Sequence, residues 1–187
     1  MASRYLCQAS PVVAECGMTN HDVTMRFATL DDAATLALMS RDLVETGLGW
    51  QYRGERIRKL IEDPNTVALV AADSDRVVGF AIMSFGDERA HLVLLAVRAT
   101  HQRRGIARGL IEWLLESARV AGVATIQVEL RAENAGAYAL YYKLGFIKML
   151  RAPNYYRGRE AALMMIRTLR APGVAPAPLP PRMLDNY

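Results

Sequence analysis

With 187 residues the chain is long enough for one domain that buries roughly 70% of the surface of its unfolded form, so it needs no disulfide or structural metal to fold. Its composition is globular, 52% hydrophobic and 22% charged, and no apolar run approaches the ~18 residues of a membrane span. The net charge of +4 is modest and its arginines gather beside one loop, a distribution that favours a small polyanion and argues against nucleic acid as partner.

Residues 1–22 have no sustained periodicity and read as a poorly ordered N-terminal arm. They lack the continuous apolar core and small-residue cleavage site of a secretory signal, which makes the cytoplasm the expected compartment. Both cysteines, Cys7 and Cys16, fall in this arm. With no Cys/His cluster at ligand spacing, the expectation is reduced thiols and no metal.

The domain proper spans residues 23–170. It opens with a short strand, 23–28, and a helix start capped by Thr29 with Asp32 three positions on. Leu36, Met39, Ser40, Leu43 and Val44 give that helix one mostly apolar face, and Gly47 is placed to end it in a left-handed cap. Residues 48–53 form a loop carrying Trp50 and Tyr52. A shorter helix, 54–62, is stopped by Asp63-Pro64-Asn65. Strands 66–72 and 76–85 flank the turn Asp73-Ser74-Asp75, and Gly86-Asp87-Glu88 turns the chain into a central strand, 92–97, whose lack of polar alternation suits burial on both faces. A helix over 105–121 follows, with Ile106, Leu110, Trp113, Leu114, Ser117 and Ala121 on its inner side. Then come strand 125–131, helix 134–144, strand 146–151 and a last strand, 161–168. Strand-helix-strand implies a right-handed parallel crossover after an antiparallel meander. Residues 171–187, with five of the eight prolines, read as a proline-rich C-terminal tail. The fold class is therefore α/β, a mixed six- or seven-stranded sheet flanked by helices on both faces.

Chemistry concentrates after the central strand. Arg98, His101, Arg103, Arg104 and Arg108 surround a helix start with no acidic residue among them, so unpaired backbone N–H groups, the positive dipole end and several arginines converge on one anion site. Gln102-Arg103-Arg104-Gly105-Ile106-Ala107 lacks the Lys-Ser/Thr of a triphosphate loop and the G-x-G-x-x-G of a dinucleotide fold. It resembles the acetyl-CoA signature of the GNAT superfamily of N-acetyltransferases, and the element order agrees with that family's fold. The resemblance implies that Gln102, Arg103, Arg104, Gly105, Ile106, Ala107 and Arg108 hold the pyrophosphate of acetyl-CoA, and that Leu95, Ala96 and Val97 lie along the pantetheine. Ala107 stands where many members have a second glycine.

A second block, Glu129-Leu130-Arg131-Ala132-Glu133-Asn134, then Ala139-Leu140-Tyr141, Leu144-Gly145-Phe146, Asn154-Tyr155-Tyr156 and Gly158-Arg159-Glu160, is similar to the bacterial ribosomal-protein N-terminal alanine acetyltransferases. Here Ala161 replaces an acidic residue of the last motif and the preceding spacer is short. The resemblance implies Glu129 as general base, Tyr141 as general acid, Asn134 as a CoA contact and, as acceptor, a primary amine, the α-amino group of a protein or peptide N-terminus. Strand periodicity by itself puts Gln127, Glu129 and Arg131 on one face of their strand. Glu129 has the alternative of a solvated carboxylate paired with Arg131, and Tyr141 that of a core residue completing a face with Ala137, Leu140 and Leu144. Asn134 is also a natural helix N-cap. Trp50, Tyr52, Tyr155 and Tyr156 fall in loops that would flank the acceptor.

His91 opens the central strand, away from the end expected to do chemistry, and His101 sits in the anion loop. Neither has a nucleophile beside it, so direct transfer in a ternary complex is expected over a covalent acyl-enzyme. A small-molecule amine as acceptor, a non-catalytic acyl-CoA-binding module and a homodimer are the open alternatives at this level.

Overall fold

The computed structural model describes residues 23–156, 158 and 160–170. The arm 1–22 with both cysteines, Arg157, Arg159 and the tail 171–187 lie outside the described residues. In order, the chain forms β1 (Val23–Phe27), α1 (Ala33–Leu43), α2 (Gly54–Glu62), β2 (Thr66–Asp73), β3 (Arg76–Phe85), β4 (Arg89–Val97), α3 (Ile106–Val120), β5 (Thr125–Arg131), α4 (Ala135–Lys143), β6 (Ile147–Tyr156) and β7 (Glu160–Thr168). All seven strands join one sheet in the order β1-β2-β3-β4-β5-β7-β6. β4 and β5 pair in parallel and every other neighbouring pair is antiparallel. This is the mixed α/β sheet expected, with seven strands.

Two apolar layers cover the sheet. On one face Leu110, Ile111, Leu114, Leu115 and Ala118 of α3 meet Ile126, Val128 and Leu130 of β5, together with Tyr141 and Phe146. On the other, Leu36, Ala37 and Met39 of α1 and Ile57 of α2 meet Val70, Phe80, Ile82, Leu94 and Ala96. β4 serves both layers because its register against β3 slips between Ile82 and Met83, so that Met83 faces Leu92 while Ile82 faces Leu94. Val93 is the extra residue, and a bulge of this kind reverses which alternate residues face each side. Ala90 and Leu92 therefore pack toward α3, whereas Leu94 and Ala96 pack toward α1 and α2.

Several boundaries move. α1 is preceded by a short 3-10 turn at Leu30–Asp32 and ends at Leu43, before the left-handed Gly47 at φ +78°. The Asp32 carboxylate accepts from the Thr29 N–H at 2.7 Å and the Thr29 hydroxyl at 3.1 Å, and receives Arg26 through two nitrogens at 2.7 and 2.9 Å. The buried stripe of α3 is centred on Leu110, Ile111 and Leu114, leaving Trp113 and Ser117 only partly covered and Ala121 exposed. β6 runs five residues past the expected end, to Tyr156, carrying Pro153. An edge strand tolerates proline because its outward N–H has no ladder partner to lose.

Close packing fixes the start of α3 over the end of β4. A Cβ at Gly79 in β3 would lie 3.1 Å from an Ile106 methyl and 3.2 Å from a Val97 methyl, so any larger residue there would push the first turn of the helix or the end of β4 outward by a few tenths of an ångström. Leu114, fully buried at the centre of the α3 face, carries that packing. Leu114→Ala is expected to lower unfolding free energy by about 2–5 kcal/mol in urea denaturation; a loss below about 1 kcal/mol would show that α3 contributes little to the core.

Candidate active site

The turn between β4 and α3 is built by the backbone. After a 3-10 turn at Ala99–His101, the Gln102 backbone N–H donates to the Ala99 carbonyl at 3.3 Å and its side-chain Nε2 donates back to the Val97 carbonyl at 3.0 Å. Arg103 has φ +64° and Gly105, the N-cap of α3, has φ +83°. Gly109 makes the first intrahelical bond, to the Gly105 carbonyl. The N–H groups of Ile106, Ala107 and Arg108, which open the helix, therefore have no carbonyl within it to reach. Left-handed residues in such a turn make a concavity lined by N–H groups, which with the helix dipole favours an anion.

The basic side chains do not all converge there. Arg98 donates to the Val77 carbonyl at 2.9 Å, Arg108 pairs with Glu112 at 2.7 Å along the helix, and His101 is held between Asp73 at 3.1 Å and Thr100 at 2.8 Å. Arg103 and Arg104 are exposed at the turn itself. The expected convergence of all these basic side chains does not occur, because Arg98 and His101 hold the turn against β3 and β2 and Arg108 lies along the helix.

Beside the turn the sheet opens. The β4–β5 ladder consists of Arg89↔Thr125, Ala90↔Ile126, His91↔Gln127 and Leu92↔Val128, and the register extends no further. From Val93 to Val97, β4 keeps β3 on one side and has no strand on the other. Leu95 is partly exposed and Ala96 and Val97 are buried on that open edge. Asn134 caps α4 across from it, its side-chain oxygen accepting from the Ala137 N–H at 2.9 Å.

Glu129 sits just past the last ladder pair. Its side chain is 18% exposed, and it accepts hydrogen bonds from Gln127 Nε2 at 2.7 Å and His91 Nε2 at 3.0 Å. An ionised carboxylate only accepts, so the imidazole Nε2 carries the proton. The His91 contact, assisted by Gln127, holds the Glu129 carboxyl below the usual glutamate range against the opposing effect of burial. His91, expected to stand apart from Glu129 because of its place at the strand start, is therefore in direct contact with it. β4 and β5 are parallel, and pairing with Gln127 sets its ring on the same face as Glu129 and within reach. Arg131 does not pair with Glu129; it reaches Glu160 at 3.3 Å. A cleft of about 290 Å³ runs from Glu129, His91 and Gln127 to Arg89 and the β3–β4 turn.

Of the four aromatic residues expected at the acceptor side, Tyr52, Tyr155 and Tyr156 feel the charge of this carboxylate. Burial, with the Glu129 and Glu45 charges, raises the Tyr52 phenol, although Arg56, stacked 4.3 Å from its ring centre, opposes this. The Glu129 charge is also the leading cause that raises Tyr155, and burial with the same charge pushes Tyr156 up to about 12. Tyr155 and Tyr156 meet edge to face at 5.1 Å. Trp50 stands back from the carboxylate, donating to the Tyr52 carbonyl at 3.1 Å between Arg41 and Arg53. Tyr141 is 4% exposed, edge-on to Phe146 at 5.4 Å, and burial pushes its phenol far above its ordinary value with a further contribution from Tyr156. It is both a core residue and a hydroxyl that stays protonated at any physiological pH. Among the described residues no group of three or more His, Cys, Asp or Glu could hold a metal ion, and no helix is long and apolar enough to cross a membrane.

A parallel strand pair that opens beside a left-handed glycine turn, with a carboxylate at the vertex, is the layout of an acetyltransferase, and the chain belongs to the acetyltransferase (GNAT) family, whose profile matches residues 36–146. It is similar to the [ribosomal protein bS18]-alanine N-acetyltransferase of Salmonella typhimurium, with 42% identity over 94 residues, a match spanning 49% of this chain and 64% of that protein. An N-alpha-acetyltransferase of Saccharolobus solfataricus is 27% identical over 161 residues, covering 79% of this chain and 94% of the relative. Among solved structures, the ribosomal-protein-S18-alanine N-acetyltransferase of Escherichia coli superposes with a TM-score of 0.70 at 27% identity, covering 81% of this chain and 96% of that one.

The depressed Glu129 carboxyl predicts a pH signature. A group whose folded pKa is lowered adds stability above its unfolded value, about 4.3, and loses it as pH falls through the folded value. Wild type should therefore be more stable than Glu129→Gln at pH 7 in urea unfolding, with the gap closing as pH falls below about 4. A gap that stays constant from pH 7 to 3 would contradict the His91–Glu129–Gln127 arrangement.

Proposed function

We propose that this chain transfers the acetyl group of acetyl-CoA to the α-amino group of a protein or peptide N-terminus, by direct attack in a ternary complex. The observation that carries the reading is the Glu129 carboxylate at the vertex of the β4–β5 opening, with the N–H-lined turn on one side and Tyr52, Tyr155 and Tyr156 on the other. The relatives' names support the acceptor class. The catalytic unit we assign is residues 23–170, and the relatives named for a ribosomal protein support a cytoplasmic setting.

In this reading the pyrophosphate binds the backbone from Gln102 to Arg108 with Arg103 and Arg104 flanking it. Pantetheine lies along Leu95, Ala96 and Val97, and the amide nitrogen of Asn134 contacts CoA while its oxygen caps α4. The amine nitrogen attacks the thioester carbonyl carbon, the carbon–sulfur bond breaks, and the nitrogen's proton passes to Glu129 directly or through a water. Tyr141 gives its hydroxyl proton to the departing thiolate. An α-amine titrates near 7.7–8.0, well below lysine at about 10.4, so the modest base Glu129 suits the former better. Trp50, Tyr52, Tyr155 and Tyr156 line the acceptor approach. Ala161, where the similar enzymes have an acidic residue, is the observation that favours a second reading, a small-molecule amine acceptor. A homodimer through β6 is supported by that strand's position at the sheet edge and by Ile147, Met149 and Leu150, each more than half exposed.

Acetyl-CoA turnover should be followed against peptides with free and blocked N-termini, free lysine and small amines. Free α-amino peptides should turn over and blocked ones should not; preferential turnover of a small amine would give the second reading. Glu129→Gln and Tyr141→Phe should each lower kcat by about 10²–10⁴-fold with acetyl-CoA affinity intact in titration calorimetry. Replacing Arg103 and Arg104 together by Ala should weaken CoA binding more than it lowers kcat, and unchanged affinity would remove both from the site.

A further inference from the structure

We infer that Arg131 is the positioning residue for the acceptor: one guanidinium fastens both walls of the acceptor approach to the strand that carries Glu129. The inference rests on the acetyl-transfer reading above and deepens it by naming what shapes the acceptor side.

Arg131 follows Glu129 by two residues and shares its face of β5, but its side chain takes different partners. One terminal nitrogen donates to the Val44 carbonyl at 3.1 Å and to the Thr46 carbonyl. The other donates to both oxygens of Glu160 at 3.3 Å. Val44 is the C-cap of α1, so the cation satisfies a carbonyl that the helix leaves open and sits at the negative end of its dipole.

Val44 and Thr46 begin the segment that leads to Trp50 and Tyr52. Glu45 between them is 7% exposed and closes that segment on itself, accepting from the Ser40 hydroxyl at 3.0 Å, the Gln51 N–H at 2.6 Å and the Tyr52 N–H at 3.2 Å. Glu160 opens β7, and its register partner across the hairpin is Tyr156. Tyr156 also feels the Arg131 charge, which opposes the upward shift of its phenol. The two walls thus consist of the α1–α2 segment with Tyr52 and the β6–β7 hairpin with Tyr155 and Tyr156. They are remote in sequence and meet on this one side chain. Only arginine offers donors in several fixed directions; a lysine ammonium at the same place is a single point and cannot span two carbonyls and a carboxylate. The core does not depend on it, because β5 packs through Ile126, Val128 and Leu130 on the opposite face.

The test uses the full chain with Arg131→Gln and Arg131→Lys, measuring peptide KM, kcat, acetyl-CoA affinity and amide hydrogen exchange. Losing charge-assisted bonds to the walls should raise acceptor KM by about tenfold or more, with kcat at saturating peptide within about threefold and acetyl-CoA affinity unchanged. Lysine should not restore the KM. Amides of residues 44–52 and 154–156 should exchange faster together, while α3 keeps its protection. Glu160→Gln should loosen the hairpin alone. Unchanged KM, equal losses in kcat and CoA affinity, or wall segments whose exchange does not respond would each overturn the inference. If wild type acetylates no amine, the acetyl-transfer reading fails, and hydrogen exchange alone still decides whether Arg131 holds the two segments.

Discussion

β4 and β5 run parallel and share a ladder for four residue pairs, ending at Leu92↔Val128, and the bulge at Val93 follows at once. A bulge increases local twist, and an extra residue on β4 with none on β5 carries the two strands apart. Beyond that point each strand keeps its outer neighbour, β3 for β4 and β7 for β5, so the sheet remains one body while its middle opens. The opening exposes one backbone edge of β4, gives α3 a place to begin, and leaves Glu129 at the vertex. Had the ladder continued to Val97, there would be neither a gap for an extended ligand nor an accessible carboxylate.

Around the vertex the electrostatics are divided by side. The turn before α3 offers N–H groups and two exposed arginines, which suit phosphate. The opposite side carries an ionised carboxylate ringed by phenols that its charge and burial keep protonated. A turn that favours anions and a carboxylate that favours cations thus lie on different faces of one gap. The carboxylate is held by His91 and Gln127, which fixes its orientation at the vertex.

Much of this was legible in the sequence. The unbroken apolar run of β4, the strand-helix alternation after it and the Gln102–Ala107 turn lead to the family and the sheet, and period-two alternation puts Glu129 on the same face of its strand as Gln127 and Arg131. What stayed hidden depended on contacts between distant segments. His91 could not be joined to Glu129 without the register His91↔Gln127, since nothing local sets where two parallel strands align. The destination of Arg131 was equally out of reach, because its partners at Val44 and Thr46 are backbone carbonyls, which every residue has. The scatter of the turn's arginines was missed for the same reason: Arg98 and Arg108 were counted by proximity in sequence, while one reaches the Val77 carbonyl and the other a glutamate on its own helix. β6 runs on past residue 151 through Pro153, which its edge position in the sheet makes harmless.

The central claim is that donor and acceptor meet at the β4–β5 opening without a covalent enzyme intermediate. Binding of a conjugate in which CoA is joined through an acetyl spacer to the α-nitrogen of a peptide tests it most directly, by titration calorimetry against CoA and peptide alone. A single opening that holds both substrates predicts that the conjugate binds at least about a hundredfold more tightly than CoA, since the second ligand arrives at high effective concentration. Affinity equal to that of CoA alone would mean that the peptide does not reach the same opening, and would contradict the account.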